Sequence, residues 1–304
     1  MRRGGLRYQA GPFSVSLHAD ATAFISTFML LYGDFPLLVP EYPQIIDFHL
    51  GLPRPVGLRR WFQPQVRFDA DSERPFAPFP LDHAFPHFEW GLNWCIATRA
   101  NRYLMLHSAV VEKNGRVAIL PGRPGSGKST LCAALMMDGW RLLSDEFGLI
   151  RPEDGTMLAL PRPIPLKNTA IPAFRAFAPD AVLGPVFPRT RKGDVSHVRP
   201  TRESLLRVDE PGRPAWIVFP KYSASNDNRL YPMARGRAFL RVSGNSFNYE
   251  VQGAAGFRAV GRLIRGCESF QLHYNHLEPA VEIMNRLAGD DLREDERLVS
   301  EADI

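Results

Sequence analysis

The sequence predicts an α/β protein: a parallel or mixed sheet with flanking helices, preceded by a smaller α+β unit. Three observations predict it. Gly122, Gly127, Lys128 and Ser129 satisfy G-x-x-x-x-G-K-[ST] between an apolar strand and an apolar helix. After residue 103, strand, loop and helix patterns alternate, as they do in α/β chains. Before residue 99 the pattern differs, with short strands and two helices broken by proline-rich stretches. The expected division is therefore residues 1–98, residues 99–289 and an acidic tail over 290–304.

"FSVSLHA" (residues 13–19) alternates apolar and polar side chains, as a half-buried strand should. Asp20 is placed to cap a helix carrying Phe24, Ile25, Phe28, Met29 and Leu31, which ends near Gly33. "IIDFHLGL" (45–52) and "WFQPQVRF" (61–68) read as further strands. After the proline-rich "RPFAPFPL" (74–81), residues 87–98 read as a helix. This first unit shows no cluster of metal ligands and no nucleophile beside a base. Beyond it, "YLMLHSAVVEKNGRVAILPG" (103–122) reads as two strands around a turn at Asn114-Gly115, a strong hairpin signal. Residues 174–214, rich in proline, glycine and arginine, read mostly as exposed loop. "AWIVFP" (215–220) is a buried strand, "AFLRVSG" (238–244) is either helix or strand, and residues 257–265 and 279–287 read as closing helices.

The 304-residue chain carries 37 basic and 32 acidic side chains, and only five of the basic ones are lysines. Residues 290–304 hold seven acids and two arginines, a net of −5, so the net +5 of the whole hides a body of about +10. A basic body suits an anionic ligand. Without an arginine-glycine repeat, a zinc finger or an aromatic recognition strand, it argues against a nucleic-acid partner. Three widely spaced cysteines suggest neither a disulfide framework nor a zinc site, so a reducing cytoplasm is expected. Met1-Arg-Arg begins as a signal peptide would, but residues 4–19 supply no apolar core. No stretch is long enough to span a membrane.

The glycine-bearing loop holds the clearest chemistry. Its glycines let backbone amides curl around an anion, and the following helix adds the positive end of its dipole. Gly122, Arg123, Pro124, Gly125, Ser126, Gly127, Lys128, Ser129 and Thr130 form the expected nucleotide-binding loop. Lys128 bridges the outer phosphates and the Ser129 hydroxyl holds magnesium, so ATP and Mg2+ are the expected cofactors.

Asp145 and Glu146 follow Lys128 by only 17 and 18 positions. A helix over 128–138 descends roughly 16 Å, and a strand over 141–145 climbs back roughly as far. The right-handed crossover then sets this strand beside the one ending at Leu120, with both acids at the carboxyl edge near the phosphates. Neighbouring strand residues face opposite sides, so the two acids do different work. One acts on an incoming hydroxyl; the other binds metal or braces the loop.

"LHSAVVEKNGRVAILPGRPGSGKST" followed by "GWRLLSDEFGLI" resembles the kinase domain of HPr kinase/phosphorylase and, closer still, the HPr-kinase-related proteins called HprK-related kinase A. The likeness covers roughly residues 107–168 and, more loosely, the chain up to 290. It implies a P-loop kinase domain of the HPr kinase type, with Asp145 as the base in phosphoryl transfer, Glu146 as its neighbour and His107 as the histidine of the preceding strand; Glu146 is then the acid left to bind metal, and His107 is a candidate phosphate or substrate contact. Asp-Glu stands here for the Asp-Asp of the bifunctional enzyme, and the Glu-Arg-Gly signature is replaced by "LPRPIPLKN" (160–168). Phosphorylase activity is therefore not implied.

Further cations are candidates for phosphate or substrate contacts. Arg162 and Lys167 bracket three prolines in "PRPIPLK", a stiff loop. Lys192, His197 and Arg199 lie in "RTRKGDVSHVRPTR" (189–202), which reads as a surface loop or a flap that closes over an anionic ligand. The expected activity is an ATP- and magnesium-dependent kinase whose acceptor is a protein serine or a small hydroxylated molecule. The alternative is a nucleotide-dependent regulator without catalysis. The sequence is compatible with a homo-oligomer.

Overall fold

The computed structural model describes residues 5–39, 45–54 and 62–292. The chain runs β1 (Leu6–Ala10), β2 (Phe13–Ala19), α1 (Thr22–Tyr32), β3 (Phe48–Leu52), β4 (Gln65–Val66), β5 (Asp69–Ala70), β6 (Phe79–Pro80) and α2 (Ala84–Arg99). It continues through β7 (Leu104–Lys113), β8 (Arg116–Pro121), α3 (Lys128–Met137), β9 (Arg141–Ser144), β10 (Phe147–Ile150), β11 (Met157–Leu158) and β12 (Ile164–Lys167). Then come α4 (Ala170–Phe177), β13 (Phe187–Thr190), β14 (Gly193–Val198), α5 (Arg202–Leu206) and β15 (Arg213–Tyr222). The last elements are β16 (Arg229–Pro232), α6 (Arg235–Gly244), α7 (Tyr249–Gly266), β17 (Glu268–Tyr274) and α8 (Leu277–Ala288).

Two compact units divide the chain. The first holds residues 1–100, 165–171 and 182–199; the second holds 101–164, 172–181 and 200–304. Residues 165–171 and 182–199, expected inside the P-loop domain, thus belong to the first unit. The expected acidic tail begins with a described contact, Arg116 Nη1 to Asp290 Oδ1 at 2.8 Å. From residue 293 onward it lies outside the described residues, as does Trp61 of the expected strand.

In the first unit, β1, β2, β3 and β5 form one sheet in that order, with β2 and β3 parallel, and β4 pairs with β6. Strand β2 forms as expected, but it is buried on both faces rather than alternately: Phe13 to Leu17 are all buried, Ser14 and Ser16 included. Helix α1 begins one residue later than an Asp20 cap requires: Ala21 occupies the N-cap and no side chain caps it. Aromatic rings make the core. Phe28 stacks on Tyr32 at 4.6 Å, and Phe88 stands edge-on to both. The buried Tyr32 hydroxyl donates to Glu89 at 2.5 Å, satisfying a carboxylate that would otherwise cost several kcal/mol to bury.

The expected loop over 174–214 is largely structured. Strand β13 pairs with β14 antiparallel, β14 also joins β12, and Thr201 caps α5. The arginines of this stretch conceal a strand: Val195, Ser196, His197 and Val198 are all buried, and Ser196 donates to the Gly184 carbonyl at 2.8 Å. Of the expected loop or flap over 189–202, the residues up to 198 thus lie in the antiparallel hairpin of β13 and β14.

His87 gives this unit a measurable acid response. It is 1% exposed, stacked on Phe79 at 4.2 Å, and its Nε2 has no hydrogen-bond partner among the described residues. Burial first, and the Arg191 charge second, lower its pKa from 6.5 to about 4. Between those values the unfolded chain binds a proton that the folded chain refuses. The stabilising contribution is complete above pH 6.5 and is lost as pH falls through the folded value. At about 1.4 kcal/mol per pH unit, wild type should lose about 2–3 kcal/mol more than His87→Phe between pH 7 and pH 4. Urea midpoints at the two pH values measure this, and equal losses would refute it.

The second unit is built on a mixed sheet in the order β11-β10-β7-β8-β15-β17-β16, with β9 also paired to β7. Asn114 and Gly115 both adopt positive φ, and Lys113 faces Arg116, so β7 and β8 form the two-residue hairpin the sequence signals. Strands β8, β15 and β17 are parallel. The expectation that β9 lies beside β8 is corrected: β7 and β15 occupy the two edges of β8, so β9 pairs with β7 instead. One face of the sheet is closed by α6 and α7, whose Val242 and Val260 pack against Ile119, Ile217 and Phe219. "AFLRVSG" is part of helix α6, and "ESFQLHY", unassigned in the sequence reading, is strand β17. No helix among the described residues is long and apolar enough to cross a membrane, and all three cysteines are free and buried.

Candidate active site

The P-loop lies between β8 and α3 as its sequence requires. Gly127 occupies the helix N-cap with φ 87° and ψ 0°, a left-handed conformation that favours glycine. Space enforces the same choice, since a Cβ there would lie 1.9 Å from the Tyr274 hydroxyl oxygen. That hydroxyl donates to the Gly127 carbonyl at 2.9 Å, and the Tyr222 amide donates to the Ser126 carbonyl at 3.0 Å. The ends of β15 and β17 therefore hold the loop from behind. Within the loop, the Ser126 amide donates to the Arg123 carbonyl at 3.1 Å, closing the turn. Arg123, Pro124 and Gly125 are exposed, while Ser126, Gly127, Ser129 and Thr130 are half-buried and Gly122 is buried.

Lys128 is 6% exposed, and its Nζ is buried with no hydrogen-bond partner among the described residues. A buried ammonium without a partner is costly. Together with the curled amides and the start of α3, it fits a bound polyphosphate. Among the described residues no three His, Cys, Asp or Glu side chains gather into a metal site of their own. Magnesium on a nucleotide needs only one or two protein ligands beside phosphate and water, and the Ser129 hydroxyl suits that demand.

Asp145, just past the end of β9, is 7% exposed. Its charge and that of Lys128 act on the same buried thiol: burial, then Asp145, raise the Cys132 pKa well above its usual value, and Lys128 opposes them. Acid and base thus flank one point on α3, whose Cys132 Sγ lies 3.9 Å from the Ser144 carbonyl. Glu146 turns away. It has φ 83°, a conformation that costs a non-glycine residue of order 1 kcal/mol and recurs at functional sites. Its Oε2 lies 3.2 Å from His107 Nε2.

The His107 partnership is built by backbone pairing. Phe147 of β10 stands opposite His107 in the register with β7. The His107 amide donates to the Asn245 carbonyl at 2.6 Å, and the Phe247 amide donates to the Met105 carbonyl at 2.8 Å. The Phe247 ring then lies 5.5 Å from His107 and 4.8 Å from Phe147. Helices α6 and α7 are in this way tied, through the segment joining them, to the strand beside the acids.

Arg162 also reaches this region. Leu160 pairs in parallel with Ser144, its amide donates to the Leu143 carbonyl at 2.5 Å, and the Arg162 amide turns back to the Leu160 carbonyl at 2.9 Å. It is 6% exposed. The other cationic candidates lie in the first unit. Lys167 is a half-buried residue of β12. Lys192 Nζ sits 5.5 Å over the Trp90 ring, and Arg199 pairs with Asp34. His197 is 1% exposed and edge-on to Phe85 at 5.1 Å, a place for packing rather than for meeting a solvated ligand.

Tyr222, Tyr274, Asn245 and Phe247 were not foreseen as parts of the site. The alternation Phe270, Leu272, Tyr274 in "ESFQLHY" is the one signal that could have revealed the strand delivering Tyr274. No known family model matches the chain, and no curated protein matches it significantly.

Proposed function

We propose that the chain is an ATP- and magnesium-dependent kinase of the HPr-kinase-related class, transferring the γ-phosphoryl group to the hydroxyl of a protein serine or a small molecule. One observation carries the reading: a buried, unpartnered Lys128 ammonium in a P-loop, with the buried Asp145 carboxylate close enough to act on the same Cys132 thiol. The resemblance of the two motifs to HPr-kinase-related proteins supports it. Loop amides and Lys128 bind the phosphates. Asp145 accepts the proton of the acceptor hydroxyl as that oxygen bonds to the γ-phosphorus and the bond to the bridging oxygen breaks. Magnesium would supply charge neutralisation when bound; the Ser129 hydroxyl would hold it, joined by Glu146 once that carboxylate leaves His107. Three free cysteines agree with a reducing cytoplasm as the setting.

A regulator that binds nucleotide without transfer is favoured by one observation, the engagement of Glu146 by His107, which occupies the expected metal partner. Incubation with γ-labelled ATP and cell extract decides between the two. Label is expected on a protein or a metabolite. Label only in water, or label that stays on ATP, would overturn the kinase reading.

A further inference from the structure

Arg241 of α6 lies beside the glycine loop: it sits over Phe219, and the next residue, Pro220, stands 3.8 Å from where a Cβ on Gly122 would be. In the second unit, α6 buries Ala238 and Val242 in the core and leaves Arg237 and Arg241, one turn apart, on one face. Arg241 is fixed firmly. Its Nη1 donates to Gln271 Oε1 at 2.5 Å, its guanidinium lies 4.0 Å over the Phe219 ring, and Gln271 in turn donates to the Phe219 carbonyl. Burial first, then the neighbouring charges of Arg237 and of Arg123 in the P-loop, hold its pKa below the usual guanidinium value. No carboxylate is among the groups that set it. Like charges gathered this way repel one another, and a bound anion relieves the repulsion.

The same helix ends at the acids. The Asn245 amide donates to the Arg241 carbonyl at 3.2 Å, and the Asn245 carbonyl accepts from the His107 amide. Arg241 is thus one helical turn from the carbonyl that holds the His107 backbone. Loop amides, Lys128 and the start of α3 already match the charge of a nucleotide's phosphates, so three further guanidiniums exceed that need.

We propose that Arg123, Arg237 and Arg241 form a second oxyanion site beside the P-loop, which holds a carboxylate or phosphate ester carried by the phosphoacceptor. This rests on the kinase reading and narrows its substrate to an anionic hydroxyl compound. Guanidinium forks match both oxyanions, and Arg241 stacked on Phe219 loses little freedom on binding.

The test is calorimetry on the full chain saturated with magnesium and a non-hydrolysable ATP analogue, titrated with inorganic phosphate and with malonate. Wild type is expected to bind at least one of them at a second site. Arg241→Gln should weaken that binding roughly 10-fold or more, as loss of a charge-assisted hydrogen bond does. It should change affinity for the ATP analogue less than about 3-fold. Arg237→Gln, at an exposed position, should weaken anion binding in the same direction and decides the matter if Arg241→Gln does not fold. A serine peptide flanked by glutamates that binds more tightly than malonate assigns the oxyanion to a protein acceptor; weaker binding assigns it to a small molecule. Absence of a second anion site, or equal loss of anion and ATP analogue in the variants, overturns the proposal. If wild type binds no ATP analogue, the P-loop reading fails by itself. Phosphate titration of Lys128→Ala with and without Arg241→Gln then still reads the arginine site.

Discussion

Lys128→Ala is expected to weaken nucleotide binding about 100-fold while leaving the protein as stable as wild type, or more so. The two effects have one cause. The Lys128 ammonium is buried without a hydrogen-bond partner among the described residues, so the fold holds a desolvated charge whose compensation comes with a ligand. Hydrogen bonds between charged groups contribute about 1.5–3 kcal/mol each, and a lysine bridging two phosphates makes more than one. Removing it costs binding by that route. Removing it from the free protein takes away a buried charge and leaves the loop anchored by Tyr222 and Tyr274, whose contacts are to backbone. Titration of magnesium with an ATP analogue, alongside urea unfolding, checks both halves. Unchanged nucleotide affinity would remove the P-loop from the proposed function. Weakened affinity with a large loss of stability would mean that Lys128 serves the fold first.

Local rules carried the sequence reading furthest where the backbone itself is constrained. The Asn114-Gly115 hairpin, the strand before the P-loop and the glycine N-cap of α3 each follow from a conformation few residues adopt, and each was legible. Long-range pairing was not. The lengths of α3 and β9 correctly return Asp145 to the region of Lys128, but length says nothing about which edge of β8 is free. The hairpin partner β7 fills one edge and β15 the other, and β15 pairs residues 97 or 98 positions away, as Arg213 with Arg116 and Ile217 with Ile119. The stretch 189–202 misled for a different reason. Arg191, Lys192 and Arg199 are satisfied over Phe79, over Trp90 and against Asp34, while the unbroken run Val195 to Val198 is buried. Charge density alone therefore did not mark a loop. Within the candidate site, the strand–loop–helix frame around residues 122–130 and the strand that leads to Asp145 were readable from motif and spacing. The left-handed turn at Glu146 that sends it to His107 was not, because an acid has no sequence signature for positive φ.

Asp145→Asn is expected to lower phosphoryl transfer about 10²–10⁴-fold with nucleotide affinity unchanged or slightly improved. Asparagine keeps the size of the side chain in a buried position and removes only its capacity to accept a proton, and general base catalysis is worth about that factor. Phosphate binding belongs to the loop amides and Lys128, so it survives. A negative charge that would repel the γ-phosphate disappears with the substitution, so affinity does not fall. Glu146→Gln should behave differently in kind. It weakens the contact with His107 and raises the magnesium concentration needed for half-maximal transfer, if Glu146 leaves His107 to join the metal during turnover. Single-turnover transfer from γ-labelled ATP at saturating nucleotide, over a range of magnesium concentrations, separates the two variants. Full transfer by Asp145→Asn would remove it as the base. Loss of transfer together with loss of nucleotide would make Asp145 part of the binding loop and would shift weight to Glu146, freed from His107, as the group that takes the proton.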